Sequence, residues 1–310
     1  MNLKKPLFWD FPKLNFLAYI LLPLTFPLAL RNFFFKFKKK KKFSNIKTIC
    51  VGNIYLGGTG KTPLTIKIYN ILKKNNLAVA TVKKYYQNQR DEQILLQQQT
   101  SLILKKSRVE AINEGIKNNL KYLIFDDGFQ DSTVEYDLNF LCFKTSTWIG
   151  NGKLIPAGPL RENISSLNRA DAVFLNGDSK NYESIEKQIK EINSNIKIFK
   201  TSYEISNNNE LNLKDKYLIF SGIGNPSDFK NLLIANKIII EKEFIFSDHH
   251  AYNEKDLKKI IAVAKKNNLG IITTEKDYIK IPDIYKSQIK IVKINLTIQN
   301  QNELINMLDF

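Results

Sequence analysis

A short glycine-rich loop, set between an apolar run and a helix-forming stretch, constrains this chain more than any other feature. Lys47-Thr48-Ile49-Cys50-Val51 reads as a buried strand, and Gly57-Gly58-Thr59-Gly60-Lys61-Thr62 follows it. Glycines let backbone N–H groups turn inward around an anion, and the helix that comes next adds the positive end of its dipole. That helix is expected over residues 62–74, with Pro63 tolerated in its first turn because an N–H there has no intrahelical partner. Gly57, Gly58, Thr59, Gly60, Lys61 and Thr62 are thus expected to hold the phosphates of a nucleoside triphosphate. Lys61 would reach the β- and γ-phosphates, and the Thr62 hydroxyl would reach magnesium. The strict pattern has glycine five residues before Gly60, whereas this chain has Tyr55 there, so the loop is a GGxGKT variant.

Such a loop needs an acid at the carboxyl end of another strand to position the metal. Tyr122-Leu123-Ile124-Phe125 carries Asp126 and Asp127 to such an end. Both are candidates for magnesium, and the sequence leaves open which one meets it. Further strands are expected at 77–82, 101–104, 138–143 and 172–175, with a helix at 109–118. This alternation predicts a P-loop α/β fold, a parallel sheet with helices on both faces. Residues 207–215 are polar and Asn-rich and read as a linker. Beyond them, strands at 217–220, 238–246 and 270–273 with a helix at 254–266 predict a smaller C-terminal α/β domain. The expected organisation is therefore an N-terminal segment 1–43, a P-loop domain 44–206, the linker, and a domain over 216–310.

The N-terminal segment calls for a different environment. Residues 14–30 are strongly apolar but interrupted by Pro23 and Pro27, and they are short for a membrane span. No small-residue cleavage site follows. Phe33, Phe34, Phe35 and Phe37 lead directly into Lys38–Lys42. A phenylalanine cluster beside a polybasic run suits the anionic cytoplasmic surface of a membrane. A single span, or a core helix beside a solvated charge run, are the alternatives. The formal net charge of +17 favours anionic partners, although the Lys-, Asn- and Ile-rich composition accounts for part of it. With 43% hydrophobic and 25% charged residues the chain reads as globular. Cys50 and Cys142 lie far apart in apolar runs, which argues against a disulfide framework or a zinc site and fits a reducing cytosol. No Asn-Lys-x-Asp guanine motif and no aromatic-basic RNA motif is present, so a GTPase and a nucleic-acid partner are disfavoured.

Six segments in order carry a resemblance: VGNIYLGGTGKTP (51–63), DDGFQD (126–131), GNGKLIPAGPLRE (150–162), FSGIGNP (220–226), FSDHHAY (246–252) and TTEKDYIK (273–280). Together they resemble the tetraacyldisaccharide 4′-kinase family. The resemblance implies an ATP- and magnesium-dependent lipid kinase. It would phosphorylate the 4′-hydroxyl of a tetraacylated glucosamine disaccharide 1-phosphate to give lipid IVA, at the cytoplasmic face of the bacterial inner membrane and with no obligate protein partner. It implies that Asp91 is the general base and Glu92 a magnesium-shell residue, with His249 or His250 orienting Asp91. Arg161 would contact phosphate, and Arg108, Gln130 and Tyr85 would face the acceptor. A hydroxyl nucleophile needs a carboxylate or imidazole within reach, and the chain has only two histidines, both beyond the linker. A histidine partner for Asp91 would then come from the second domain, with the domains closing over ATP.

Three departures from the family pattern touch the acceptor side. Lys83-Lys84-Tyr85-Tyr86 stands where the family has Arg-Gly-Tyr-Gly, Gln93 follows Asp91-Glu92 in place of proline, and Asp131 replaces a histidine. Two other functions share the phosphate loop: a membrane-associated P-loop ATPase acting as a switch, and a non-catalytic basic membrane-binding protein.

Overall fold

The computed structural model describes residues 5–13, 15–85, 90–177 and 181–309. Leu14 and Tyr86, both named above, lie outside the described residues. The apolar N-terminal stretch is helical, as α1 (Phe16–Leu21) and α2 (Phe26–Phe37), joined by a 3-10 turn over Leu22–Thr25. The Asn15 side chain caps α1 by accepting from the Ala18 N–H. Pro23 sits in the 3-10 turn and Pro27 in the first turn of α2, so the prolines bend the helical path without ending it. The helical run Phe16–Phe35 is long and apolar enough to cross a membrane, and only 6% of it is buried.

Then follow β1 (Lys47–Gly52), α3 (Lys61–Lys74), β2 (Val79–Lys84), α4 (Arg90–Gln99), β3 (Leu102–Lys105) and α5 (Arg108–Lys117). Next come β4 (Tyr122–Asp126), β5 (Leu138–Lys144), β6 (Ala172–Asn176), α6 (Tyr182–Ile192) and β7 (Lys197–Ile205). The chain continues through β8 (Lys216–Ser221), α7 (Pro226–Ala235), β9 (Ile239–Ile245), α8 (Glu254–Lys266), β10 (Gly270–Thr274) and α9 (Glu275–Tyr278). It closes with α10 (Asp283–Lys286), β11 (Lys290–Val292), β12 (Ile294–Ile298) and α11 (Gln301–Leu308).

Two compact units result. The larger comprises Leu3–Tyr85, Thr100–Ser202 and Ile298–Phe310; Tyr86–Gln99 and Tyr203–Thr297 belong to the smaller. The eight-stranded sheet has the order β12-β7-β6-β5-β1-β4-β2-β3, and its strands β1 to β6 lie wholly in the larger unit. β1 pairs in parallel with β4 on one side and with β5 on the other. Strands later in the chain extend one way from β1, and β2 and β3 lie the other way beyond β4. The connections therefore diverge at β1, and the carboxyl ends of strands flanking such a switch are where ligands bind in open α/β sheets. β1 and β4 read as continuous apolar runs because both faces of the sheet are covered: Ile49, Cys50, Val51, Leu123 and Ile124 are fully buried. Both cysteines are free, and burial pushes their thiols up, Cys142 to about 12.

The smaller unit carries a parallel sheet of order β11-β10-β8-β9. Helix α8 starts with a reciprocal cap between Asn253 and Asp256.

The division differs from the sequence expectation at three places. Helix α4, between β2 and β3 in the chain, belongs to the smaller unit, where it packs on α9. The last helix, α11, belongs to the larger unit, where the Lys47 ammonium donates to the Leu308 carbonyl at 2.9 Å. Residues 207–215 are not a free linker. Asn207 is buried, donating to the Ile291 carbonyl and accepting from the Lys293 N–H at 2.9 Å each, which fixes this polar stretch within the smaller unit.

Candidate active site

In the larger unit the loop after β1 is shaped by Asn53. This side chain is fully buried and its Nδ2 donates to the Tyr55 carbonyl at 2.6 Å, the Gly57 carbonyl at 3.2 Å and Thr59 Oγ1 at 2.9 Å. Gly57 and Gly60 have φ of 139° and 94°, values that side chains rarely adopt, and Gly60 delivers the chain into α3 with Lys61 and Thr62 in its first turn. Gly58 faces open space.

Tyr55, where the strict loop has glycine, is buried and bridged antiparallel to Leu160. Its hydroxyl bonds the Asp10 carboxylate and accepts from the Lys5 ammonium at 2.9 Å. Two further bonds hold residues 150–162 to the loop: Leu56 N–H to the Pro159 carbonyl at 2.8 Å and Arg161 N–H to the Ile54 carbonyl at 2.7 Å. Trp9 seats the N-terminal segment on the same stretch, its indole donating to the Pro156 carbonyl at 3.0 Å. The variant loop is thus buttressed by side chains where the strict form relies on glycine.

β4 brings Asp126 beside the helix start. Asp126 Oδ2 accepts from Thr62 Oγ1 at 3.1 Å and from the Lys83 ammonium at 2.7 Å, and both Lys83 and Asp126 are buried. Asp127, at φ 62°, turns its carboxylate toward Arg161 at 3.1 Å and Lys61 at 3.8 Å. Burial alone would push the Asp127 carboxyl up. The charges of Lys61, Arg161 and Lys83 outweigh it and hold the group below the ordinary carboxylate range.

Gln130 donates to the Asn53 carbonyl at 2.9 Å and accepts from Arg161 at 3.3 Å. Arg108 is turned inward, giving one bond to the Asp127 carbonyl at 2.6 Å and another to Asp131 Oδ2 at 2.7 Å. Asp131, the departure from the family pattern, is therefore a partner for Arg108. Gln130 and Asp131 also line a cavity with Arg31, Lys40 and Arg169, next to the apolar N-terminal helix. Tyr85, at the end of β2, is half exposed, and its backbone bonds the Lys105 carbonyl at 3.1 Å.

The donor set fits a magnesium ion held with a nucleotide. Thr62 Oγ1 and Asp126 lie side by side, and Asp126 Oδ1 is buried with no hydrogen-bond partner among the described residues. Orphaned buried carboxylate oxygens are rare without a ligand or water to satisfy them. Among the described residues no group of three or more His, Cys, Asp or Glu could hold a metal by protein atoms alone.

The smaller unit holds a second cluster. Asp91, in the first turn of α4, is 5% exposed. His249 Nδ1 lies 3.0 Å from Asp91 Oδ1 and 2.9 Å from Oδ2, and the Glu92 N–H donates to Oδ1 at 2.9 Å. His249 has φ 59°, and its N–H is held by the Gly222 carbonyl at 3.1 Å. Burial raises Asp91, but the His249 bond and the Lys276 charge together bring it below the ordinary range. His250 points elsewhere. Its Nε2 bonds Asp256 at 2.9 Å, and its ring stacks on Phe246 at 4.6 Å. Asp91 and its histidine partner thus belong to the same unit. Glu92 faces the Lys276 ammonium at 3.5 Å.

Sequence reasoning missed Asn53, Lys83, Asp10 and Lys276. Lys83 had a signal, a lysine ending an otherwise apolar strand. The contact of Asp10 with Tyr55 had none, because only the fold brings these residues together.

A parallel sheet with a phosphate-holding loop after β1 and paired acids after β4 defines a P-loop nucleotide-binding protein. The profile of the family described as tetraacyldisaccharide-1-P 4′-kinase matches residues 16–309, and the chain belongs to that family. It is 48% identical to tetraacyldisaccharide 4′-kinase of Pelagibacter ubique (strain HTCC1062), over 99% of this chain and 98% of that one. It is 32% identical to the enzyme of the same name from Rickettsia bellii (strain OSU 85-389), over 98% and 97% of the two chains. Its fold is similar to a crystal structure of LpxK from Aquifex aeolicus in complex with ATP, with a TM-score of 0.71 at 22% identity, covering 94% of this chain and 98% of that one.

Proposed function

We propose that this chain transfers the γ-phosphoryl group of ATP to the 4′-hydroxyl of a tetraacylated glucosamine disaccharide 1-phosphate, giving ADP and the 4′-phosphorylated lipid. The observation that carries the phosphoryl-transfer reading is the grouping of Lys61, Thr62, Asp126, Asp127 and Arg161 at one end of the larger sheet. Family membership supplies the acceptor.

In the reaction the 4′-oxygen forms a bond to the γ-phosphorus and the bond from that phosphorus to the bridging oxygen of ADP breaks. Lys61 and Arg161 stabilise charge on the phosphates as it redistributes, which is the main task of the protein in such transfers. Thr62 and Asp126 would hold magnesium, with Asp127 beside them, and a bound ion would supply charge neutralisation at the phosphates. Asp91 accepts the proton of the 4′-hydroxyl. His249 Nδ1–H donates to that carboxylate and fixes its orientation, and Glu92 supports the same corner. His250 braces the loop that carries His249. Gln130 and the cavity lined by Arg31, Lys40 and Arg169 suit an anionic sugar head group, with Arg108 holding the floor through Asp131. Tyr85 supplies an exposed contact.

Exposed Phe16, Leu24, Phe26, Phe34 and Phe37, followed by Lys38–Lys42, support attachment to the anionic cytoplasmic face of the inner membrane. No nucleic acid and no obligate protein partner enters this reading. The test is a transfer assay in detergent micelles with ATP, magnesium and the tetraacyl disaccharide 1-phosphate. One phosphorylated lipid should appear for each ADP formed. ATP hydrolysis at the same rate without lipid, and no phosphorylated lipid, would favour the ATPase reading instead.

A further inference from the structure

The segment Thr273–Lys280 helps to carry the family resemblance, yet the reaction as described uses none of it. In the structure two of its residues, Lys276 and Asp277, connect to Asp91 and, through Gly222, to His249. Its lysine, Lys276, places an ammonium 3.6 Å from Asp91 Oδ2, 3.5 Å from Glu92 Oε1 and 3.3 Å from Asp248 Oδ1. The side chain is 20% exposed. Three carboxylates from two separate segments therefore converge on one cation. The two segments are the start of α4, which carries Asp91, and the loop that carries His249.

The neighbouring residue completes the frame. Asp277 is fully buried and accepts from the Gly222 N–H at 3.0 Å and from Thr274 Oγ1 at 2.8 Å. Gly222 in turn accepts from the His249 N–H at 3.1 Å. A Cβ at residue 222 would lie 3.1 Å from the His250 Cβ and 3.0 Å from the Ser247 carbonyl oxygen, so the loop packs tightly on this glycine. One short helix thus holds both partners of the dyad, Asp91 through Lys276 and His249 through Asp277 and Gly222.

We propose that Lys276 is a positioning residue of the transfer reaction, holding the Asp91 carboxylate and the His249 loop in the geometry that accepts the hydroxyl proton. Three close carboxylates without a cation between them would repel one another and draw α4 away from the 248–249 loop. The effect falls on orientation, to which reaction rates are steeply sensitive. This inference rests on the reading of Asp91 as the base.

The test compares Lys276→Met, Lys276→Gln and Lys276→Arg in the full chain, using the micelle assay and a thermal melt of each variant. The uncharged variants should lower kcat by about 10²-fold and leave KM for ATP unchanged. Arginine should restore most of the loss, because it keeps the charge between the same carboxylates. In an Asp91→Asn background the Lys276 changes should add no further loss, since residues acting through one another are not additive. Native kcat in folded Lys276→Met or Lys276→Gln would overturn the proposal. So would loss of folding in both, which would make Lys276 structural only, or full additivity with Asp91→Asn. Native transfer by Asp91→Asn alone would instead remove the base reading on which the proposal rests.

Discussion

The two clusters solve opposite electrostatic problems. In the larger unit two acids, Asp126 and Asp127, are surrounded by cations: Lys83 at 2.7 Å, Arg161 at 3.1 Å and Lys61 at 3.8 Å, with Arg108 on the Asp127 backbone. In the smaller unit three acids, Asp91, Glu92 and Asp248, surround the ammonium of Lys276, with His249 against Asp91. A cation-rich pocket suits polyphosphate. In the acid-rich one the His249 bond and the Lys276 charge outweigh burial and hold the Asp91 carboxyl below the ordinary range. The two clusters thus differ in the sign of their surplus charge, which the side chains alone set.

The largest break in this comparison is expected from Lys83→Met. It leaves Asp126 buried beside Thr62 without its ammonium, and stranding a buried charge costs about 3–5 kcal/mol. The urea midpoint should fall accordingly. Next is Lys61→Ala, which strips the pocket of the charge aimed at the phosphates. Transfer should drop about 10²–10³-fold and ATP should bind more weakly by calorimetry, while the melt stays near native.

A pH series sharpens the same contrast. Burial raises Asp131, but the Thr133 hydroxyl and Arg108 outweigh it and hold the group below its ordinary 3.8. A group lowered on folding contributes stability that is full above its unfolded value and lost as pH falls through its folded one. The urea midpoint should therefore decline below about pH 4, and Asp131→Asn should flatten that decline. The smallest effect is expected from Tyr55→Phe. Losing the hydroxyl that meets Asp10 and Lys5 should cost about 1 kcal/mol in a urea melt, with transfer retained.

How much of this was legible in the sequence follows from how each part is built. The donor site rests on a contiguous strand, loop and helix, and on a strand ending in two acids. Its residues follow one another in local order: Gly57 and Gly60 in the loop, Thr62 in the first turn of α3, and Asp126 at the end of β4. The second cluster joins α4, the 248–249 loop and α9, which lie far apart in the chain. No periodicity announces such a meeting, and only the family resemblance pointed to Asp91 and the histidines. The place of α4 in the smaller unit was illegible for the same reason. α4 looks like any polar helix between two strands until its partner α9 is known. Lys276 stood in a quoted motif but had no role, because a lysine next to acids in sequence is usually a solvated pair. Here the fold buries it among acids from elsewhere.

The proposed reaction divides its labour, with nucleotide held by the larger unit and the proton accepted at Asp91. Asp91→Asn tests it most directly, because it keeps the side-chain shape and a hydrogen-bond acceptor for His249. The measurement is ATP affinity and the single-turnover rate of lipid phosphorylation on the same preparation. The account predicts native ATP affinity with transfer reduced about 10²–10⁴-fold. Transfer at the native rate, or a loss that follows weakened ATP binding, would contradict it.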